Sequence, residues 1–301
     1  MSFKQTWPAA SLAGESERQQ AVQLRRRQRW WRQVLMSTLR FLVTVVLLLF
    51  IVGPLVWLLL LSLKPSESIF SAGPFSPTLA NYVAVVESSF FASLWHSVLI
   101  DSGATLLTMV VALPAAYAIV RQLQHAFFRL MLTYNLAVRV LPGLILLVPL
   151  FVVFRRLELL NTFPGMMLAY QVIGLPIAMT SLFGFFAEVP RAIEEAAIVD
   201  GASRLQVFWH VSLPLARQGI VATTILVFMM TWTEFLFALV LTGNETVTAP
   251  VAILDFIKYA NVDWGSLAAA TVVLLLPSIA FGFATGRAFI RGLTAGAVQG
   301  E

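Results

Sequence analysis

Three ionisable side chains lie inside stretches of sequence that are otherwise apolar: Asp101, Arg139 and Glu234. A charge at such depth is costly against lipid, so it normally pairs inside the protein, faces a water-filled cavity or serves an ion pathway. A proton or ion relay would show several acids at one depth, but these stretches contain only two acids. The pattern therefore favours packing contacts between helices over a direct substrate contact, with an ion-coupled secondary transporter as the alternative function.

No arrangement of residues in the sequence indicates an enzyme. Cysteine is absent, and the histidines are scattered without metal-ligand spacing: His96, His125 and His210. A phosphate-binding loop needs Gly-Lys-Ser/Thr, and no lysine of this chain follows a glycine. We therefore predict no catalytic residue, no metal site and no cofactor in this chain. If the chain takes part in ATP-driven transport, other subunits must bind the ATP and Mg²⁺.

The longest polar stretch in the second half of the chain, residues 194–215, predicts two short helices separated by a glycine. Pro190 suits the first turn of a helix, and Glu194 and Glu195 are placed to complement the positive end of its dipole. Gly201 fits the position where a left-handed residue stops a helix.

A second helix is predicted to begin directly after this glycine. Ser203 followed by Gln206 is a capping-box pattern, and Pro214 limits how far the helix can run. One face of this helix carries large apolar side chains: Leu205, Phe208 and Trp209. Exposed aromatic residues are common anchors of protein interfaces. The pattern thus predicts either a docking surface or an amphipathic loop folded back on the rest of the protein.

These residues are embedded in a membrane protein. The sequence is 59% hydrophobic and 12% charged, with a mean hydropathy of +0.84, whereas soluble domains carry about twice that charge. Six stretches are long enough, at roughly 20 residues, to cross a bilayer. We place these spans at about 39–63, 94–120, 128–154, 164–186, 218–242 and 264–288. The first span is preceded by a long polar arm and lacks a small-residue cleavage site, so we expect it to be retained.

The basic residues predict the orientation of the spans. One side of the membrane would carry fifteen of them: Lys4, Arg18, Arg25, Arg26, Arg27, Arg29, Arg32, Arg40, Arg121, Arg129, Arg191, Arg204, Arg217, Arg287 and Arg291. The other side would carry only Lys64, Arg155, Arg156 and Lys258. Because cytoplasmic loops are enriched in lysine and arginine, both termini and residues 194–215 are predicted to be cytoplasmic.

The N-terminal arm, residues 1–38, is rich in arginine and contains Trp30 and Trp31. Its net positive charge is also typical of a regulatory or nucleic-acid-binding segment. Arginine on anionic lipid and tryptophan at the headgroup level explain the composition more simply. We therefore expect contact with membrane lipid and no contact with nucleic acid.

A family resemblance changes the interpretation of the polar stretch. Glu195-Ala196-Ala197, Gly201 four positions later and Val211-Ser212-Leu213-Pro214 resemble the EAA motif of ABC importer permeases, with Val211 in place of isoleucine. Segments LSLKPSESIF, RRLELLNTFPGMMLAY, WTEFLFAL, TAPVAI and RGLTAGAVQG are similar to carbohydrate permeases of the maltose-permease G-subunit type. Thr233 and Gln299 depart from the asparagine and lysine of many members.

The resemblance implies an all-α fold with six transmembrane helices over residues 39–291, located in a bacterial inner membrane. It implies a cytoplasmic coupling loop at about residues 187–216 that docks on an ABC ATPase. The coupling residues would be Glu195, Ala196, Ala197, Asp200, Gly201, Phe208, Leu213 and Pro214. The implied partners are two ATPase copies, a second, non-identical permease subunit and an extracytoplasmic solute-binding protein. The implied substrate is a disaccharide, oligosaccharide or polyol.

Two further sets of residues have predicted roles. Small, nearly uncharged residues 292–301 predict an extended cytoplasmic tail, and the resemblance implies that it contacts the ATPases through Thr294, Ala295, Gly296, Ala297, Val298, Gln299 and Gly300. An uncharged, polar substrate would be held by aromatic and hydrogen-bonding side chains. The candidates for its pathway are Asn135, Gln171, Trp232 and Glu234.

Overall fold

The computed structural model describes residues 10–70, 75–140, 143–258 and 261–297, with the backbone alone at residues 10–32, 67, 139–140, 258, 261 and 284–297. These residues are almost entirely helical. The helices are α1 Ala10–Ser62, α2 Ala80–Glu87, α3 Phe90–Arg121, α4 Ala126–Val140, α5 Gly143–Arg156, α6 Phe163–Ala169, α7 Gln171–Glu188, α8 Arg191–Val199, α9 Arg204–Val207, α10 Leu213–Leu215, α11 Arg217–Trp232, α12 Leu236–Leu241, α13 Ala249–Ala252 and α14 Trp264–Ala297. Short 3₁₀ turns lie at Ser66–Ser68 and Ile253–Phe256, and strands β1 Ile257–Lys258 and β2 Asn261–Val262 pair antiparallel.

Four described helices are long and apolar enough to cross a membrane: Gln33–Ser62, Phe90–Arg121, Gln171–Glu188 and Trp264–Phe283. The predicted third span is a bent pair, Ala126–Val138 and Gly143–Arg156, with an angle of 103° between its helices. A second bent pair, Arg204–Leu215 and Arg217–Trp232, meets at 77° and joins the predicted coupling loop to the fifth span. The all-α architecture with up to six spans is therefore confirmed.

Two further predicted spans are interrupted where the sequence showed unbroken hydrophobicity. The fourth consists of α6 and α7, which meet at Tyr170. The fifth ends at Trp232, and the chain resumes as α12 after a break at residues 233–235. Glu234 caps this second helix, since its carboxylate accepts hydrogen bonds from the Phe237 and Ala238 N–H groups at 3.0 and 3.2 Å. A polar cap inside an apolar run thus divides the span.

The contacts divide the chain into two units, residues 1–60 and 61–301. In the first unit, the basic arm from Ala10 onward and the first span form the single helix α1, which contains Pro54. In the second unit, α3 is the central element and packs most extensively against α7 and α11.

Small residues allow α3 to approach its neighbours closely. Ala104, Ala112 and Ala116 lie at intervals of eight and four positions, and all three are fully buried. A Cβ atom on Gly174 of α7 would lie 2.6 Å from the Thr108 hydroxyl oxygen of α3. Such close backbone contacts are the usual way in which helices pack inside a membrane. Helix α3 therefore packs closely against α7 at this position.

Candidate functional site

The first half of the predicted coupling loop has the expected geometry. Helix α8 begins directly after Pro190 and ends before Gly201, which has a φ of +93°. The Gly201 N–H donates to the Ile198 carbonyl, and the Ala202 N–H donates to the Ala197 carbonyl, each at 3.0 Å. These two bonds close the end of the helix around a left-handed glycine. The prediction for Gly201 is confirmed.

The second half begins as predicted and then departs from a regular helix. The capping box at Ser203 and Gln206 is complete. The Ser203 N–H donates to Gln206 Oε1 at 2.8 Å, and the Gln206 N–H donates to Ser203 Oγ at 3.3 Å. After α9, residues Phe208–Ser212 form one wide π turn before α10. Pro214 has no N–H to donate to a carbonyl one turn earlier, which explains why regular α-helical bonding is not kept here.

The exposed apolar face of the loop differs from the predicted one. Leu205 and Trp209 are 67% and 58% exposed, and Val199 at the end of α8 is 86% exposed. Phe208, by contrast, is buried, with its ring centroid 5.0 Å from that of Tyr117 and 6.4 Å from that of Phe186. The prediction that Phe208 is an exposed anchor was wrong, because its ring joins the apolar core between α3 and α7.

The other predicted coupling residues are exposed or partly buried. Five of them are exposed: Glu195, Ala196, Asp200, Gly201 and Pro214. Ala197 and Leu213 are partly buried, and Leu213 packs against the apolar core. Most of the motif residues are therefore accessible on the loop, and their contact with an ATPase stays a prediction.

Sequence reasoning missed the polar cluster under this loop. Glu194 is only 6% exposed, and its carboxylate accepts hydrogen bonds from Arg121 Nη2 at 2.6 Å and Ser212 Oγ at 2.7 Å. The Tyr117 hydroxyl lies 3.5 Å from the same carboxylate. We call Tyr117, Arg121, Glu194 and Ser212 the clasp. Arg121 is 73 positions from Glu194 in the sequence, so no local pattern pairs them.

Two of the predicted pathway residues line one cavity of about 700 Å³ between α3, α4, α5 and α7. Asn135 is buried and donates to Thr180 Oγ1 at 3.0 Å. Gln171 accepts from Thr108 Oγ1 at 2.8 Å and donates to the Met167 carbonyl at 2.7 Å. Both amides are therefore used in contacts between helices. The lining is mainly aliphatic, and a substrate-pathway role for either residue stays a prediction.

The other two predicted pathway residues lie away from this cavity. Trp232 is 1% exposed, donates to the Leu274 carbonyl at 3.0 Å and stacks on Phe228 at 5.6 Å. This connects α11 to α14. Glu234 caps α12. The four candidates do not form one site in this structure, so their role in a substrate pathway stays a prediction.

The surroundings of the intramembrane charges are described for Asp101 and Glu234 but not for Arg139. Asp101 on α3 is 2% exposed, and its Oδ1 atom has no hydrogen-bond partner among the described residues. Arg139 lies in α4, and its side chain is outside the described residues. Asp101 and Glu234 interact electrostatically with each other and with Tyr170.

The C-terminal residues are not extended where the structure describes them. Helix α14 continues to Ala297, so the backbone from Thr294 to Ala297 is helical. Val298, Gln299 and Gly300 lie outside the described residues. Contact of these residues with an ATPase stays a prediction.

Comparison with known proteins identifies the family. Residues 108–293 match the model of the binding-protein-dependent transport system inner membrane component. A trehalose transport system permease of Mycobacterium tuberculosis is 37% identical over 82% of this chain and 92% of its own length. A trehalose/maltose permease of Thermococcus litoralis is 30% identical over 89% of this chain and 99% of its own.

The fold agrees with this match. A permease chain of a bacterial ABC transporter that imports alginate superimposes with a TM-score of 0.71, covering 84% of this chain and 96% of that chain at 18% identity. The family and these relatives are transport components rather than enzymes or ion-coupled transporters. The resemblance read from the EAA motif is confirmed, because the chain belongs to the family of binding-protein-dependent transport system inner membrane components.

Proposed function

We propose that this chain is a permease subunit of an ATP-driven sugar importer and that it converts closure of a cytoplasmic ATPase into movement of its spans. The observation that carries the proposal is the geometry of the coupling loop. Two helices meet at the left-handed Gly201, and the apolar side chains of Val199, Leu205 and Trp209 point away from the bundle. Apolar side chains exposed in this way are typical of a surface that another protein covers.

The proposed complex contains four further proteins. Two copies of an ABC ATPase bind ATP and Mg²⁺, and each docks on one coupling loop. Since this chain has one such loop, a second permease subunit supplies the other, and we propose that this subunit is not identical to the chain described here. A solute-binding protein delivers the substrate from outside the membrane, as the family's binding-protein dependence supports.

The proposed substrate is a disaccharide, an oligosaccharide or a polyol. Relatives are named for trehalose, for trehalose and maltose, and for diacetylchitobiose. Another relative, 34% identical, is named for sulfoquinovosyl glycerol. These compounds share several hydroxyl groups on a compact, polar body, which favours a substrate of the same class here.

The test is purification of the complex from its native membrane, identification of the copurified proteins by mass spectrometry and reconstitution in liposomes. ATP hydrolysis is then measured with the binding protein and each of trehalose, maltose, diacetylchitobiose and a polyol. Stimulation by one or more of these compounds is expected. A complex without an ATPase, or uptake driven by an ion gradient in the absence of ATP, would contradict the proposal.

A further inference from the structure

We propose that the clasp holds the coupling loop in a fixed orientation on α3, so that its residues set the efficiency of coupling without touching the ATPase or the substrate. This inference rests on the proposed function. It concerns Arg121, Glu194 and Ser212, which lie under the loop, whereas the exposed side chains Leu205 and Trp209 lie on its outer face.

One carboxylate joins three separate segments. Glu194 belongs to α8, Ser212 ends the π turn, and Arg121 is the last residue of α3. The bonds from Ser212 Oγ and Arg121 Nη2 to the same Glu194 oxygen are 2.7 and 2.6 Å long. Both halves of the coupling loop are therefore connected to α3 through a single buried side chain.

Two arginines reinforce this connection in opposite directions. Arg121 at the end of α3 donates to the Val189 carbonyl, which precedes α8, at 3.2 Å. Arg191 at the start of α8 donates to the Val120 carbonyl of α3 at 3.3 Å. Each segment thus supplies a donor to the other. This reciprocal bonding restricts rotation of α8 about the end of α3.

Aromatic packing adjacent to the ion pair completes the attachment. Tyr117, one turn before Arg121, has its ring centroid 5.0 Å from the ring of Phe208 in the π turn. The Arg121 guanidinium carbon lies 5.6 Å from the centroid of the Tyr117 ring. Because α3 packs most extensively against α7 and α11, a force on the attached loop would reach three spans together.

A buried ion pair gives little net stability, but removing one partner leaves an uncompensated charge. The double variant Arg121→Gln with Glu194→Gln removes the ion pair without leaving such a charge. We expect it to assemble with the ATPase at wild-type yield while its sugar-stimulated ATP hydrolysis falls at least about fivefold, the lower end of typical coupling between sites. Glu188→Gln, which neutralises an exposed carboxylate at the end of α7, is the control and should behave as wild type.

A second measurement does not depend on ATP hydrolysis. Because the chain has no cysteine, spin labels can be attached at Gln124→Cys, just beyond α3, and at Ile193→Cys, which is exposed on α8 and has no assigned role in docking, in the assembled complex. We expect a narrow distance distribution in the wild-type background and a broader one in the double variant. If sugar does not stimulate ATP hydrolysis by the wild-type complex, the proposed function fails. The distance distributions still decide whether the clasp fixes the orientation of the loop.

Ser212→Ala provides a milder change, because it removes only the donor from the π turn. It should broaden the distances less than the double variant does, and it decides the question if the double variant does not assemble. Unchanged distance distributions in the assembled variants would overturn the proposal. Loss of assembled complex with unchanged stimulation per complex would also overturn it, since the clasp would then only stabilise the fold.

Discussion

Replacing Gly201 by valine should uncouple ATP hydrolysis from transport before it prevents folding. Gly201 has a φ of +93°, and a Cβ atom added there would meet nothing within 4 Å. The main effect of valine expected within this chain is therefore backbone strain, which costs about 1–3 kcal/mol for a residue held in such a region. This cost corresponds to a drop of about 5- to 150-fold in the population of the correct turn.

The assay measures sugar uptake, sugar-stimulated ATP hydrolysis and the yield of assembled complex. Gly184→Val is the matched control, because that glycine also has open space around it and lies within helix α7 without a positive φ. Gly201→Asn should retain more activity than Gly201→Val, since asparagine tolerates the left-handed region better than a β-branched residue does. Uptake by Gly201→Val at the wild-type rate would show that the left-handed turn does not matter for coupling.

Three further outcomes are expected. An impermeant thiol reagent added to intact cells should label Glu87→Cys but not Arg204→Cys. The distribution of basic residues places position 87 outside and position 204 in the cytoplasm. The opposite labelling would show that the predicted orientation is inverted. Truncation after Leu293 should weaken sugar-stimulated ATP hydrolysis if the C-terminal residues contact the ATPases, whereas unchanged stimulation with unchanged assembly would assign them no role. Gln171→Leu should lower the free energy of unfolding by about 1 kcal/mol, because it removes hydrogen bonds between α7 and α3, without changing which sugar stimulates ATP hydrolysis. A changed sugar preference would instead place Gln171 in the substrate pathway.

The features that could be predicted from the sequence are those set by local chemistry. The left-handed Gly201 and the Ser203 capping box each follow from a few neighbouring residues, and both are present. The number of spans follows from the length of the apolar stretches. These features depend on backbone preferences and on hydrophobicity, which a single sequence displays directly.

The features that were missed depend on contacts between distant residues. Glu194 was read as a complement to a helix dipole, but it is bonded to Arg121 on a helix far away in the sequence. Phe208 has the helical spacing of an exposed face, yet the core rings of Tyr117 and Phe186 cover it. The break at Glu234 was hidden because the hydrophobicity on both sides of it is continuous. Spacing alone does not show which face of a short helix the bundle buries.

Site-specific photo-crosslinking from the coupling loop tests most directly whether this loop docks on an ATPase. A photoreactive amino acid replaces Trp209, which is 58% exposed on the loop, or Phe70, which is 82% exposed in the connection after the first span. After irradiation of native membranes, the Trp209 position should capture the ABC ATPase, and the Phe70 position, predicted to lie outside, should not. Capture of the ATPase from Phe70 but not from Trp209 would contradict docking on this loop. Docking would also be contradicted if neither position captured the ATPase in a complex that contains it.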